Sequence, residues 1–293
     1  MDSLTHAFVV MLASPETLSG ISLFTLVLGA VIPDIDIFFK PLSDRYPELY
    51  MFTHGGITHS ITGAVAMAPL ALTGIYLAGS AGAFPSAGQG FYLVVPGICF
   101  IIGTFTHLIL DALAYPGIPL FYPFSPRKYT AGVFPGPSLV LFAASLIFAL
   151  ITLPGYGGAA LNLAYAAFAL LFVLASIAIA VIVQGRNNGM AIPTLNPARW
   201  FVLKEDEQQY ILSSFNLFSG PGPEKIFPKY TNTTPRDIQD LTRNPEYQRL
   251  RFYSYIITAT RDGDHVVFSD PLRSDRIIYY PPFYTRLILP APE

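Results

Sequence analysis

Seven side chains stand out by type and position: His6, Asp34, Asp36, His54, His59, His107 and Asp111 lie within or beside apolar runs. An ionisable group in such surroundings is expensive unless paired, which makes it a functional hypothesis by default. Four of the five histidines in the chain belong to this set; the fifth, His265, follows the Asp262-Gly263-Asp264 turn and reads as a solvated turn residue. His107 and Asp111 are spaced i, i+4 in Gly103-Thr104-Phe105-Thr106-His107-Leu108-Ile109-Leu110-Asp111. That spacing puts both on one helical face, where they serve one site or form a structural His–Asp hydrogen bond. Asp34 and Asp36 close the run Gly29-Ala30-Val31-Ile32-Pro33-Asp34-Ile35-Asp36. Negative charge is disfavoured at a helix C-terminus, so either a cation compensates them or they face headgroups. His54 and His59 bracket two glycines in Thr53-His54-Gly55-Gly56-Ile57-Thr58-His59-Ser60. The glycines permit a tight turn or close approach to a ligand, and Thr58 or Ser60 can cap the helix that follows. The histidines of such a capping loop can also be incidental. His6, in Ser3-Leu4-Thr5-His6, carries little weight alone.

Imidazole and carboxylate without thiolate suit Zn²⁺ first, then Mn²⁺ or Fe, rather than Ca²⁺ or Mg²⁺ alone. Seven donors exceed the needs of one tetrahedral ion, so one or two ions are expected. Paired ions clamp the attacking and leaving oxygens of a phosphoryl displacement. A carboxylate left off the metal, Asp36, is the expected general base. Arg127 and Lys128, in Phe121-Tyr122-Pro123-Phe124-Ser125-Pro126-Arg127-Lys128-Tyr129, are the only basic residues between Arg45 and Arg186. They suit a phosphoryl group, and equally a basic anchor beside an aromatic belt; the two roles are compatible.

The elements that must position these groups are set by composition. The 293 residues are 52% apolar and only 12% charged, and mean hydropathy is +0.48. Soluble domains carry about 25% charge, so an ordinary cytosolic enzyme is excluded, and disorder is excluded by the same balance. A net charge of −2 makes nucleic acid a poor partner, and a single cysteine, Cys99, rules out a disulfide scaffold or thiolate metal cage. Of 17 Lys and Arg, 12 lie from Arg199 onward. The long uncharged stretches before them read as spans near 18–39, 60–79, 91–114, 137–153 and 159–184, since about 20 apolar residues cross a bilayer. A shorter apolar segment, Leu4–Ala13, ends at Ser14-Pro15-Glu16 and forms a hairpin with the first span. With no positive n-region after Met1-Asp2, it is not a signal peptide.

Lys40 and Arg45, Arg127 and Lys128, and Arg186 fall in alternate loops, while the loops at 80–90 and 154–158 have no basic residue. The positive-inside rule then puts the basic segments, and everything after the last span, in the cytoplasm. All seven ligand-type residues converge at that membrane face. The expected architecture is an all-α polytopic helix bundle of about five spans plus a short N-terminal helix, residues 1–190, followed by a small β-rich cytoplasmic domain of unknown role, residues 194–293. In that domain Phe252–Thr260 and His265–Phe268 read as two strands around an Asp-Gly turn, Tyr210–Phe218 as another strand, and Pro235–Asp240 as a helix start.

On Thr5-His6, Gly29…Pro33-Asp34-Ile35-Asp36, His54-Gly55-Gly56-Ile57-Thr58-His59-Ser60, Thr106-His107…Asp111 and Tyr122-Pro123-Phe124-Ser125, residues 1–185 resemble the LexA-regulated, membrane-bound metal-dependent hydrolases. That resemblance implies an inner-membrane hydrolase. A fainter similarity reaches the zinc-dependent phospholipases C, and it implies His6, Asp34, one of His54 or His59, His107 and Asp111 as metal ligands. The later His and His-x-x-x-Glu ligands of that group are missing here, leaving Asp36 and the second loop histidine to make up the set. Neither resemblance extends over residues 194–293.

The sequence therefore leads to a metal-dependent phosphoesterase working on phosphate esters, including membrane lipid, at the cytoplasmic face. A metal-ion or proton transporter using the same residues is the second reading; it requires ionisable groups spread through the membrane's depth and internal repeats. The third is a non-catalytic scaffold that presents the C-terminal domain to a protein partner.

Overall fold

The computed structural model describes residues 2–18, 20–82, 94–152, 155 and 157–292. The chain forms two compact units. The first takes in Met1–Lys40 and Met51–Ala180, the second Pro41–Tyr50 and Val181–Glu293.

In the first unit, α1 (Ser3–Ala13) is started by Asp2, whose carboxylate accepts the Thr5 N–H at 2.9 Å. After the Pro15 turn, α2 (Gly20–Val31) runs into a 3₁₀ helix, Ile32–Phe39. Pro33 supplies the change of winding, because it has no N–H for the α pattern. Chain continuing through α3 (Lys40–Arg45) makes a helical run of 26 residues. Two more helices of membrane length are α4 (Ile61–Ser80), capped by Ser60 onto Gly63 N at 2.9 Å, and α5 (Val94–Leu113). The expected loop at 80–90 falls largely outside the described residues. A two-residue parallel pair, β1 (Ala114–Tyr115) with β2 (Phe134–Pro135), closes the loop that carries Arg127 and Lys128. Next come α6 (Leu139–Ile151) and α7 (Ala159–Arg186), which expose many leucines and isoleucines, as suits lipid, while Leu141, Tyr165 and Val183 are buried.

Among the described residues four helices reach membrane length, against the about five spans expected. The fifth expected span coincides with α6, which is described as an α-helix of 13 residues and continues in helical winding at Thr152, where the described chain is interrupted. It packs beside α1, with Leu12, Ala149 and Tyr165 forming a buried cluster and Ser145 Oγ bonded to Tyr165 Oη at 2.7 Å.

Apolar burial does not separate one helix from another in lipid, so close backbone packing must hold them. Gly29 of α2 lies against the Phe100 carbonyl of α5, and Gly103 of α5 against the Leu26 carbonyl of α2; a Cβ at either glycine would overlap that oxygen. This pairing sets the spacing between the two helices that carry the acids and the His-x-x-x-Asp pair.

The second unit holds two four-stranded sheets. One is an antiparallel meander of β3 (Met190–Pro193), β4 (Arg199–Glu205), β5 (Gln209–Asn216) and β6 (Gly220–Pro228). The other has the order β10-β9-β8-β7, built from β7 (Tyr230–Thr231), β8 (Thr258–Asp262), β9 (His265–Ser269) and β10 (Arg286–Pro290). The expected Asp-Gly hairpin is present: Asp262 pairs with His265 across a turn whose Gly263 has φ +57°, and His265 is exposed. The preceding strand starts later than expected, because Phe252 and Tyr253 end α8 (Pro245–Tyr253). That helix starts at Pro245 behind the Asn244 cap, whose side chain accepts the Glu246 N–H at 2.8 Å, and not at Pro235–Asp240, which is turn. A short α9 (Pro271–Ser274) supplies Arg273, which is 5% exposed and bonds Asp270 at 2.7 Å, the carbonyls of Pro281, Phe283 and Tyr284, and Ser254 Oγ.

The stretch Pro41–Tyr50 belongs to this second unit. Tyr284 Oη donates to Asp44 at 2.6 Å, Arg249 bonds the Ser43 carbonyl and lies over the Tyr284 ring at 4.2 Å, and Tyr50 meets Phe252 at 5.3 Å.

Two outcomes follow. Arg273→Ala strands the buried Asp270 carboxylate and should cost about 3–5 kcal/mol; urea unfolding followed by the fluorescence of Trp200, the one tryptophan, reads this in the second unit. Gly103→Leu, overpacked against the Leu26 carbonyl, should lower the thermal midpoint in detergent, whereas Gly74→Leu, with nothing within 4 Å of its Cβ, should leave it unchanged.

Candidate metal centre

Each of the seven residues is positioned by a local feature. His6 lies one turn into α1, held by the Asp2 cap, and is fully buried. The 3₁₀ winding after Pro33 turns Asp34 and Asp36 inward while Ile35, Ile37 and Phe38 face out, the reverse of a soluble helix. His54 and His59 come from the loop that Gly56 lets fold tightly against the Met51 carbonyl, with His59 ending a short 3₁₀ turn. His107 and Asp111 stand one turn apart on the buried side of α5.

The structure brings all seven together. Asp34 Oδ1 lies 3.3 Å from His59 Nε2, 3.7 Å from His107 Nε2 and 3.6 Å from His54 Nδ1. Asp111 Oδ2 lies 3.5 Å from His59 Nε2 and 3.5 Å from His107 Nε2, while its Oδ1 lies 3.2 Å from His6 Nε2. Asp36 Oδ1 meets His54 Nδ1 at 3.2 Å and its Oδ2 meets His59 Nδ1 at 3.0 Å. The rings of His6 and His107 stack with centroids 3.8 Å apart. Three groups have donor atoms close enough to share an ion: His6, His107 and Asp111; Asp34, His59 and His107; Asp36, His54 and His59.

Six of the seven are buried, and only His54 is partly open, with 18% of its side chain exposed. Among the described residues, imidazoles are the only cationic partners of Asp34 and Asp36. Buried polar atoms normally have hydrogen-bond partners. Here His6 Nδ1, His6 Nε2, Asp34 Oδ1, His59 Nε2 and His107 Nε2 have none. Three of those atoms, Asp34 Oδ1, His59 Nε2 and His107 Nε2, belong to residues of one of these groups, and His6 Nε2 faces Asp111 in the adjoining one. That is the geometry of a donor set that fits a cation, and it is made of nitrogen and oxygen only.

Arg127 and Lys128 lie in the loop closed by β1 and β2, where the Arg127 guanidinium sits over the Tyr129 ring at 5.9 Å. Contacts to the seven residues run through other groups that reading by residue type missed. Ser3 Oγ donates to Asp34 Oδ2 at 2.6 Å, so one carboxylate oxygen is held and the other points inward. Thr58 Oγ1 donates to Asp36 Oδ2, while the expected cap of α4 is Ser60 alone. The Ala30 carbonyl, freed where the α winding ends, lies 2.7 Å from His107 Nδ1. Ser3 and Thr58 sit within one turn of a ligand-type residue, which was the available signal; the Ala30 carbonyl leaves no trace in a side-chain pattern.

No curated protein and no solved structure matches the chain. A family model described as YdjM inner membrane protein matches residues 1–187. The matched region holds all seven residues and the basic loop, and it leaves the β-rich region unaccounted for. On that match, which covers more than half its length, the chain belongs to the YdjM inner membrane protein family.

Proposed function

We propose that the protein is a membrane-bound, metal-dependent hydrolase of phosphate esters, working at the cytoplasmic face of the inner membrane. One observation carries the reading: buried imidazole and carboxylate atoms from four stretches of chain, several without hydrogen-bond partners, cluster in overlapping groups close enough to hold an ion. A divalent ion such as Zn²⁺, Mn²⁺ or Fe²⁺ would supply Lewis-acid polarisation of a phosphoryl oxygen and acidify water. His6, Asp34, His59, His107 and Asp111 are the residues to hold it.

The remaining roles fall to groups of the chain itself. His54 is the partly exposed member, and its Nδ1 faces Asp36 Oδ1 at 3.2 Å. An imidazole whose one nitrogen is held by a carboxylate presents the other for proton transfer, so His54 Nε2 takes the acid–base part. Asp36, the base expected from sequence, has both oxygens engaged by neighbours and is less suited to it. Arg127 and Lys128 hold the phosphoryl oxygens, the former through its fork of donors. The positive-inside bias of Lys40, Arg45, Arg127, Lys128 and Arg186 favours the cytoplasmic side for the site and for the C-terminal region. A transporter would spread its ionisable groups through the membrane's depth, whereas these form one cluster.

The test is phosphate release by the purified full-length protein in nanodiscs, from a phosphatidic acid and from a soluble aryl phosphate in parallel. Chelation should stop release and Zn²⁺ or Mn²⁺ should restore it; a preference between the two substrates identifies lipid or free ester as the source. His107→Ala with Asp111→Ala should remove both the metal and the activity. If that double variant keeps the wild-type metal content, the site is wrongly assigned. If wild-type protein binds metal yet carries it across proteoliposomes without hydrolysing either ester, the transport reading replaces this one.

A further inference from the structure

We propose that the centre holds a single cation, bound by Asp34 Oδ1, His59 Nε2, His107 Nε2 and Asp111 Oδ2 with His6 Nε2 beside them, and that Asp36 is a positioning residue outside it. The inference rests on the metal reading above and decides between the one and two ions that seven donors allow.

Donors about 2.0–2.2 Å from a tetrahedral ion stand about 3.3–3.6 Å from one another. Four of the six pairs among the named atoms, those joining an imidazole to a carboxylate, are 3.3, 3.5, 3.5 and 3.7 Å apart. Three of the four have no hydrogen-bond partner. His6 Nε2, also without one, lies 3.2 Å from the other oxygen of Asp111 and adds a fifth donor.

Tautomers then exclude a second ion. A neutral imidazole has one protonated nitrogen and one lone pair. His107 Nδ1 faces the Ala30 carbonyl, which can only accept, so the proton is there and the lone pair is at Nε2. His59 Nδ1 faces Asp36 Oδ2 at 3.0 Å, which likewise puts its proton on Nδ1 and its lone pair on Nε2. With both lone pairs directed to the first position, the group Asp36, His54 and His59 is left with two donors, and the group His6, His107 and Asp111 also with two. Neither reaches the three protein ligands of a metal site. The oxygens of Asp36 are in any case taken up by Thr58, His54 and His59, in contrast to the partnerless Asp34 Oδ1. Asp36 therefore acts as the carboxylate behind a metal-binding imidazole. It fixes the ring of His59, as the Ala30 carbonyl fixes that of His107.

Titration of the metal-free, detergent-solubilised full chain with Zn²⁺ or Mn²⁺ alone tests this without any substrate. Wild type should bind one equivalent. Asp34→Asn should lose stoichiometric binding, while Asp36→Asn and His54→Ala should each retain one equivalent, Asp36→Asn about 10–100-fold more weakly. Thr58→Val, which removes a donor to Asp36 and no ligand, should also retain one equivalent, and it stands in if Asp36→Asn does not fold. Two equivalents in wild type, one of them lost in Asp36→Asn or His54→Ala, would overturn the single-ion assignment and leave the metal reading intact. No binding by folded wild type would bring down the metal reading itself.

Discussion

Three carboxylates and four imidazoles packed against one another in an apolar protein are the constraint from which the rest of the structure follows. Removing a charge from water is tolerable only where another charge or hydrogen bond replaces the lost hydration. The chain meets that demand for half of the atoms with its own groups: Ser3 on Asp34 Oδ2, Thr58 and two imidazoles on Asp36, the Ala30 carbonyl on His107. Asp34 Oδ1 and the Nε2 atoms of His6, His59 and His107 instead face one another and Asp111 as ion pairs, with no hydrogen-bond partner. The division is not random. Except at His6, whose two nitrogens both have no hydrogen-bond partner, the atoms turned away from the cluster are held by neighbouring groups.

Backbone packing serves that cluster. The two glycines between α2 and α5 bring the Pro33 end of one helix beside His107 of the other, closely enough for the Ala30 carbonyl to reach an imidazole. The switch from α to 3₁₀ winding serves it too. It frees that carbonyl from intrahelical bonding and aims two acids separated by one residue in the same inward direction. Pro33 is thus as much a part of the site as the acids it precedes.

How much of this was legible in the sequence depends on whether a side chain or the backbone carries the information. The seven ligand-type residues were readable because ionisable groups in apolar runs have no other common reason to be there, and the His107–Asp111 spacing places both on one face without further knowledge. The tight loop at Gly56 and the Gly263 hairpin were readable for the same kind of reason, local chemistry with few solutions. The start of α8 was misplaced by ten residues because Pro235 and Pro245 are equivalent N-terminal signals, and the Asn244 cap decides between them. Which donors face the centre and which stand behind it depends on ring orientation, and that is set by a carbonyl and two hydroxyls that no ligand pattern includes.

The β-rich unit is not simply attached after the last helix. It incorporates Pro41–Tyr50, the chain between Asp36 and His54, and fixes it through Asp44, Ser43 and Tyr50. Ordering a loop that joins two ligand-bearing stretches is an entropic cost that some contact must offset. In this chain the offset comes from Arg249, Phe252 and Tyr284, residues outside the family-matched region. The ordering of a loop within the matched region therefore draws on chain that the family pattern does not include. That connection gives the C-terminal hundred residues a physical reason to be part of the same molecule, independent of any catalytic motif of their own.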